Sequence, residues 1–402
     1  MHSHFIFLNL LLNNVWSLFS NAPHATSFKL AAALLTAFVL TYTFIPSIIK
    51  VAIIKHLYDS PDDDRKSHDE IIPTLGGIGI FGGFVIGFCL FATFDLKTPE
   101  LKYIIAALSF TFMLGAKDDI VALVANKKFI GQIFAASIIV ILGGIRITSL
   151  YGMFGMSYIS ETFSIILSIV TIIFIINAFN LIDGINLLAG SVSVVISLSF
   201  GAWFYFYGFN DYAILAAAMS GAVLAFLRYN VTPAKIFMGD SGSLSIGLLA
   251  AVLAIQFIEK NEMILHQHVS SGIQITASPA MAIAVLIIPI YDAFRVFAMR
   301  LIKRKSPFIA DRNHIHHRLL DLGFSHVKST FILITVNILF IILTYFLQHF
   351  GNFLLMCFEL ALAMLLTFVL FSFSIKKKIE VGKESKIEND KPINLSMKID
   401  MQ

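Results

Sequence analysis

The sequence predicts an all-α, polytopic integral membrane protein with about eleven (ten or eleven) transmembrane helices, and two observations lead to this fold class. Of the 402 residues, 57% are hydrophobic and 13% are charged, roughly half the charged share of an average soluble domain. Apolar stretches long enough to cross a bilayer also recur along most of the chain. We therefore expect the lipid bilayer, and no nucleic acid, as a partner.

The apolar stretches can be assigned in order, because a spanning helix needs about 20 predominantly apolar residues. A shorter stretch, residues 5–19, contains three asparagines and is interpreted as an interfacial segment. The predicted spans are residues 28–50, 76–94, 102–117, 129–147, 162–181, 187–208, 212–229, 243–260, 279–299, 329–349 and 353–375.

The placement of lysine and arginine predicts the orientation of these spans. Loops on one side carry most of the basic residues, and the positive-inside rule makes that side cytoplasmic. The N-terminus is then outside and the C-terminus inside. We divide the chain into an extracytoplasmic segment (1–27), a multi-helix transmembrane domain (28–375) and a disordered cytoplasmic tail (376–402), which is charged and poor in aromatic residues.

Five polar stretches interrupt the apolar sequence, and in this topology all five adjoin cytoplasmic ends of spans. They are DDDRKSHDEIIPTLGG (62–77), GAKDDI (115–120), NAFNLIDGINLLAG (177–190), KIFMGDSGS (235–243) and DRNHIHHRLL (311–320). Ionisable groups beside a membrane interior are costly and often functional. The stretches therefore predict an active site on the cytoplasmic loops.

Three aspartates are the candidate catalytic residues. Asp118 and Asp119 end a hydrophobic span, where adjacent carboxylates need a compensating positive charge. Asp240 lies between Gly239 and Gly242, which let a ligand approach the backbone closely. Such carboxylates suit Mg²⁺, which takes one or two of them together with substrate phosphates. Solvated loop acids and an N-capping aspartate in a tight turn are the simpler interpretations.

The stretch NAFNLIDGINLLAG (177–190) contributes side-chain amides and one more carboxylate. Asn177 and Asn180 are three residues apart and share a helix face, and Asp183 and Asn186 follow where that helix breaks. These groups could bind a metal or the polar edge of a ring. Asparagines that only bridge two helices are the alternative.

The last stretch concentrates hydrogen-bonding groups, with His314, His316 and His317 close to Arg312. Zinc binding is one interpretation, but the HExxH spacing is absent and no cysteine is near. Donation to phosphate oxygens explains the mixture of histidine and arginine better, while anchoring to lipid headgroups is the alternative for the basic residues. The further basic groups expected around an anionic substrate are Arg65, Lys66, His68 and Lys128.

By themselves these residues predict a membrane enzyme that handles a phosphate ester with Mg²⁺ on the cytoplasmic side. Six motifs in order then resemble the polyprenyl-phosphate N-acetylhexosamine 1-phosphate transferase family (glycosyltransferase family 4). They are DRKSHDEIIPTLGGIGIF, GAKDDI, NAFNLIDGINLLAG, IFMGDSGSL, PIYDAFRV and DRNHIHHRLLDLG. HIHHRLLDLG is similar to the branch that transfers N-acetylglucosamine 1-phosphate to undecaprenyl phosphate.

The resemblance implies that a UDP-N-acetylhexosamine and undecaprenyl phosphate give the undecaprenyl-diphosphate sugar and UMP. This is the first membrane step of a cell-surface polysaccharide, such as the O-antigen of lipopolysaccharide. Mg²⁺, with Mn²⁺ as a substitute, would be the cofactor, the location the bacterial inner (cytoplasmic) membrane, and a homodimer is compatible with the family.

The resemblance also implies residue roles. Asp240 and Asn180 would hold the metal, and Asp118, supported by Asp119, would deprotonate or orient the lipid phosphate. Direct transfer and a covalent aspartyl intermediate both stay open, as do the roles of Asp292 and Arg295. The substrate contacts would be Asp183 and Asn186 near the nucleoside, and Lys128, His314, His316 and Arg312 at the diphosphate and sugar.

Two other functions fit the sequence less well. The phospho-MurNAc-pentapeptide transferases of peptidoglycan synthesis usually have a proline before three consecutive histidines and an acid after them, whereas Ile315 interrupts the histidines here. A secondary transporter would show paired repeats and broken helices near the midplane, and the sequence contains no convincing repeat. The identity of the amino sugar stays open.

Overall fold

The computed structural model describes residues 25–57, 72–94, 98–155, 158–267, 274–304 and 314–389. Thirteen α-helices and no β-strand occur within these ranges. The predicted all-α fold class is therefore confirmed for the part of the chain that the structure describes.

The helices are numbered in chain order. They are α1 (Ala25–Ile54), α2 (Gly76–Phe91), α3 (Leu101–Ile120), α4 (Ala125–Ser137, continued by a π-helical turn, Ile138–Leu142), α5 (Glu161–Ile182), α6 (Leu188–Phe206), α7 (Asn210–Asn230), α8 (Gly239–His266), α9 (Ser278–Val285), α10 (Ile287–Ile302), α11 (Ile315–Asp321), α12 (His326–Leu347) and α13 (Asn352–Asn389).

Every predicted span overlaps at least one of these helices, and the chain is a multi-pass membrane protein. Eight helices in the described ranges are long and apolar enough to cross a bilayer, or nine if a bent pair counts as one span. Helix α2 is apolar but has only 16 residues, and α3 ends in charged residues. The number of eleven spans stays a prediction.

Two predicted segments differ in shape from the helices found. The ninth predicted span, 279–299, is a broken helix in which α9 and α10 meet at an 82° bend. The last helix continues to Asn389 instead of ending near residue 375, so the first part of the predicted disordered tail is helical. Residues 1–24 and 390–402, the rest of the two predicted terminal segments, lie outside the described residues.

Helix α8 occupies the centre of the bundle, where α2, α3, α5, α6 and α9 pack around it. Its sequence from Ile246 to Ile255 is apolar on all faces, which is typical of a helix surrounded by other helices. Gly115 of α3 lies so close to the first turn of α8 that an added Cβ would be 2.5 Å from the Asp240 carbonyl carbon. The absence of a side chain at Gly115 thus brings the acidic end of α3 against Asp240.

Serine caps determine where two helices begin. Ser160 accepts a hydrogen bond from the Phe163 N–H before α5, and Ser325 accepts one from the Lys328 N–H before α12. A serine at this position satisfies one of the backbone donors that have no partner in the first turn. The second cap places His326 at the start of α12.

Candidate active site

Helix ends from distant parts of the sequence surround a polar cavity of about 490 Å³. Its walls come from the segment before α2, the end of α3, the end of α5 with the turn after it, the end of α7, the start of α8 and the start of α12. The lining residues are Thr74, Asp118, Asp119, Ala122, Asn180, Asp183, Gly184, Ile185, Asn186, Asn230, Phe237, Gly239, Asp240 and His326.

Lys128 connects two of the predicted catalytic carboxylates. Its ammonium group forms an ion pair with Asp118 at 3.1 Å and a second ion pair with Asp240. All three side chains are mostly buried, so a positive charge is needed to hold the two acids together. Asp118 also accepts the Leu123 N–H at 2.6 Å, which fixes the turn between α3 and α4.

The two asparagines of α5 have different surroundings. Asn180 donates its side-chain amide to Asp240 at 2.6 Å and to the Ser243 hydroxyl at 3.0 Å. Asn177 exchanges two hydrogen bonds with Gln132 of α4, at 2.7 and 3.2 Å. Asn180 therefore belongs with Asp118, Asp240 and Lys128 to one cluster, the acidic centre. Asn177 instead bridges two helices, as the simpler interpretation of the sequence held.

Asp119 has a different environment from its neighbour. Its two carboxylate oxygens accept the backbone N–H groups of Asp240 at 2.6 Å and Ser241 at 3.0 Å. These are first-turn donors of α8, and a negative group at a helix N-terminus is stabilising. The structure thus makes Asp119 an N-terminal cap for α8 that positions Asp240.

The turn after α5 forms the opposite wall, and its backbone is held from two sides. Asn186 donates its backbone N–H to His326 Nδ1 at 3.2 Å and its side-chain amide to the Thr232 hydroxyl at 3.0 Å. Asp183 is half-buried in the same turn. Burial, together with the nearby carboxylates of Asp240 and Asp119, raises the pKa of Asp183 well above its usual range.

The histidine motif packs behind this turn, and Asp292 of α10 anchors it. Asp292 accepts a hydrogen bond from the Ile315 N–H at 3.0 Å, contacts His314 Nδ1 at 2.8 Å and pairs with Arg295 at 2.9 Å. Asp292 and His314 are both buried. The structure therefore assigns Asp292 and Arg295, whose roles the sequence left open, to holding the start of α11.

His316 is buried, and its Nε2 has no hydrogen-bond partner among the described residues. It lies directly against Gly184, and burial lowers the pKa of His316 to about 3, so the ring is neutral. His317 packs on His316 at 4.3 Å between ring centroids. None of the three histidines lines the polar cavity in this structure, in contrast to the direct phosphate contacts expected from the sequence.

The four remaining predicted substrate contacts are not placed by the structure. Arg65, Lys66, His68 and Arg312 lie outside the described residues.

A second, apolar cavity of about 630 Å³ adjoins the acidic centre between α4, α5 and α10. It shares Asn180 with the polar cavity, and Lys128 stands in its wall. Most of its surface is aliphatic or aromatic, and its further polar members are Gln132, Asn177 and Arg300. The apolar residues that line it are Ala125, Phe129, Val170, Ile173, Phe174, Leu181, Phe297 and Leu301.

His326 and Arg300 line the two cavities but were not predicted from the sequence. His326 follows the histidine motif by only a few residues, but a single histidine after a serine carries no signal of a ligand contact. Arg300 stands among basic residues at the end of a predicted span, where a topological role suffices to explain it.

The groups around Asp240 are the candidate ligands for the Mg²⁺ expected from the sequence. No group of three or more His, Cys, Asp or Glu in the described ranges is arranged to hold a metal ion. Asp240, with Asp118 across the Lys128 ammonium and Asn180 beside it, does fit a cation that takes its other ligands from water and substrate phosphates. The residues are therefore compatible with Mg²⁺.

Comparison with known proteins agrees with the arrangement of these motifs. Residues 101–258 match glycosyl transferase family 4. The undecaprenyl-phosphate alpha-N-acetylglucosaminyl 1-phosphate transferase of Salmonella typhi is 30% identical over 75% of this chain and 79% of its own length. A probable undecaprenyl-phosphate N-acetylglucosaminyl 1-phosphate transferase of Bacillus subtilis is 31% identical, over 77% and 81%. The decaprenyl-phosphate N-acetylglucosaminephosphotransferase of Mycolicibacterium smegmatis is 30% identical, over 76% and 79%. The chain belongs to glycosyl transferase family 4.

Proposed function

We propose that this protein transfers N-acetylglucosamine 1-phosphate from UDP-N-acetylglucosamine to undecaprenyl phosphate and releases UMP. The reaction would take place on the cytoplasmic side of a bacterial inner membrane and begin the synthesis of a cell-surface polysaccharide. One observation carries the proposal: a polar cavity and an apolar cavity share Asn180, and the ion pair between Asp240, in the wall of the first, and Lys128, in the wall of the second, joins them. A hydrophilic donor and a lipid acceptor need such a junction.

The polar cavity suits the nucleotide sugar. Its volume of about 490 Å³ lies in the range of small-molecule sites. Amide, hydroxyl and imidazole groups stand beside four carboxylates in its wall. The carboxylates make a cation necessary for the diphosphate to bind, because two negative groups repel each other in a partly buried site.

The apolar cavity suits the lipid phosphate. Its walls offer hydrocarbon contact for a prenyl chain, and two of the helices that line it, α4 with its π-helical turn and α5, are long enough to span the bilayer. Lys128 and Arg300 provide two positive side chains in the same wall. An amphipathic lipid with a phosphate head matches this combination of apolar wall and cationic groups.

Transfer at the junction requires positioning more than covalent chemistry. An oxygen of the lipid phosphate attacks the phosphorus that carries the sugar, forming a new P–O bond. The bond from that phosphorus to the bridging oxygen breaks, and the oxygen leaves with UMP. The lipid phosphate has a second pKa near 6 and is mostly dianionic at neutral pH, so Asp118 mainly orients it.

Lys128 balances the negative charge where the two substrates meet, while Asp119 keeps Asp240 in place by capping α8. Asp240 and Asn180 would hold Mg²⁺, or Mn²⁺ in its place. A bound metal would neutralise the negative charge that develops on the UMP leaving group.

The test uses purified protein in detergent with Mg²⁺, undecaprenyl phosphate and radiolabelled UDP-N-acetylglucosamine. We expect butanol-extractable label and UMP in equal amounts, both lost with EDTA and in Asp240→Asn. The control is Asp321→Asn, which removes an exposed aspartate of α11 and should leave the rate unchanged. Product only from another UDP-N-acetylhexosamine would change the sugar and keep the reaction. No UMP from any UDP-sugar, in folded protein, would refute the proposal.

A further inference from the structure

His326, the first residue of α12, stands in the wall of the polar cavity. It contacts Asn186, which lies 140 residues earlier in the chain, in the turn after α5. Its Nδ1 accepts the backbone N–H of Asn186 at 3.2 Å. His326 and Asn186 thus lie side by side at one part of the cavity. Neither lines the apolar cavity, so both lie away from the junction at which transfer would occur.

The contact with Asn186 determines the tautomer of the neutral ring. A ring nitrogen that accepts a hydrogen bond carries no proton, so the proton of a neutral His326 is on Nε2. Among the described residues, none forms a hydrogen bond with Nε2. The ring therefore presents one N–H donor in the cavity wall.

Most other polar groups in this part of the wall already have hydrogen-bond partners or act as acceptors. Asn186 uses its side-chain amide on the Thr232 hydroxyl, and its carbonyl accepts a hydrogen bond from the Thr330 hydroxyl at 3.1 Å. The ionised aspartates of the cavity act as acceptors, whereas Asp183, whose pKa is raised by burial, can also donate when it is protonated. A nucleotide has carbonyl and hydroxyl oxygens that need donors, and His326 offers one.

We propose that His326 is a substrate-binding residue whose Nε2–H donates a hydrogen bond to an oxygen of the uridine part of the UDP-sugar. This contact would hold the nucleoside against the turn from Asp183 to Asn186, with the diphosphate directed toward Asp240. The inference rests on the proposed function, because the ligand is the donor substrate of that reaction.

Two substitutions separate substrate binding from a structural role. In His326→Asn, the side-chain carbonyl takes the place of Nδ1 and can still accept the Asn186 N–H, but the Nε2 donor is gone. In His326→Gln, the amide nitrogen takes the place of Nε2 and the bond to Asn186 is lost. The measurements are the Kd of UMP by calorimetry in detergent, the KM for each substrate, and the unfolding temperature.

We expect His326→Asn to raise the Kd of UMP and the KM for UDP-N-acetylglucosamine by roughly three- to tenfold, the effect of one neutral hydrogen bond. The KM for undecaprenyl phosphate and the unfolding temperature should not change, and His326→Gln should bind UMP more tightly than His326→Asn. A wild-type Kd of UMP in His326→Asn would overturn the inference, whatever His326→Gln does. Absence of turnover by the unaltered enzyme would refute the proposed function, while the UMP affinities would still decide the role of His326.

Discussion

The ammonium group of Lys128 contacts the carboxylates of Asp118 and Asp240, which come from two different helices. The three charged groups leave a net charge of −1 when the acids are ionised. Removing the lysine would leave two carboxylates facing each other in a mostly buried site, which costs energy unless another cation replaces it. A divalent cation bound at Asp240, as proposed above, would thus compete with Lys128 for the same oxygen atoms.

We predict that Lys128→Met binds Mn²⁺ more tightly than the unaltered protein in the absence of substrates, because the competing ammonium is gone. The same change should lower the transfer rate by about a hundredfold or more, since it removes a positive charge at the reacting phosphates. Electron paramagnetic resonance of Mn²⁺ and the radiolabel assay measure the two effects.

Lys127→Met is the matched control, because Lys127 is the exposed neighbour on the same helix. It should change neither Mn²⁺ affinity nor rate. Weaker Mn²⁺ binding in Lys128→Met would show that the lysine supports the metal site instead of competing with it.

Among the individual residues, Asp118, Asp240, Asn180 and Lys128 could be selected from the sequence, because each is a polar group beside an apolar span. Their grouping agrees with the structure. His316 shows the limit of this reasoning. Its residue type suggested a phosphate contact, but the packing of α11 against Gly184 buries the ring.

Helix α8 depends on α3 for its first turn, because Asp119 accepts two of its backbone N–H groups. Those donors have no partner inside the helix. The cap also determines where Asp240 lies, since Asp240 itself provides one of the two N–H groups. Asp119 therefore couples the stability of a helix end to the geometry of the acidic centre.

We predict that Asp119→Ala lowers the free energy of unfolding by about 2 kcal/mol, the upper part of the range for removing a helix cap. Asp119→Asn should lose about half as much, because the amide keeps one acceptor oxygen. Both should lower the transfer rate, since Asp240 loses its support. Thermal unfolding in detergent, followed alongside the radiolabel assay, compares the variants.

An unfolding temperature of Asp119→Ala equal to that of the unaltered protein, together with a lost rate, would contradict the capping role. That outcome would instead favour the role that the sequence suggested for Asp119, the support of Asp118 among the catalytic aspartates.

Two cavities adjoin in the helix bundle: a polar cavity at the helix ends and an apolar cavity between α4, α5 and α10. Another apolar cavity, of about 480 Å³, lies between α10, α11, α12 and α13 and shares no residue with the acidic centre. Comparing these two apolar cavities can show which one receives the lipid acceptor.

We predict that Leu301→Trp, which enlarges an exposed side chain of the cavity beside Lys128, raises the KM for undecaprenyl phosphate several-fold. The KM for UDP-N-acetylglucosamine should not change, because the polar cavity is untouched. Leu366→Trp, at an exposed position of the other cavity, is the matched control and should change neither value. A raised lipid KM in Leu366→Trp alone would place the acceptor in the other cavity.

The sequence by itself determined the all-α membrane fold and the family, because the lengths of the apolar stretches and the order of the motifs depend only on the order of residues along the chain. It also located the acidic centre, since charged residues that end apolar spans stand out by residue type. Only the tertiary structure decided which role each polar group has. Asp119 caps α8, Asp292 anchors His314, and His326 joins the polar cavity. These roles depend on contacts between residues that are far apart in the chain, and the packing of α3, α10 and α12 brings those residues within hydrogen-bond distance.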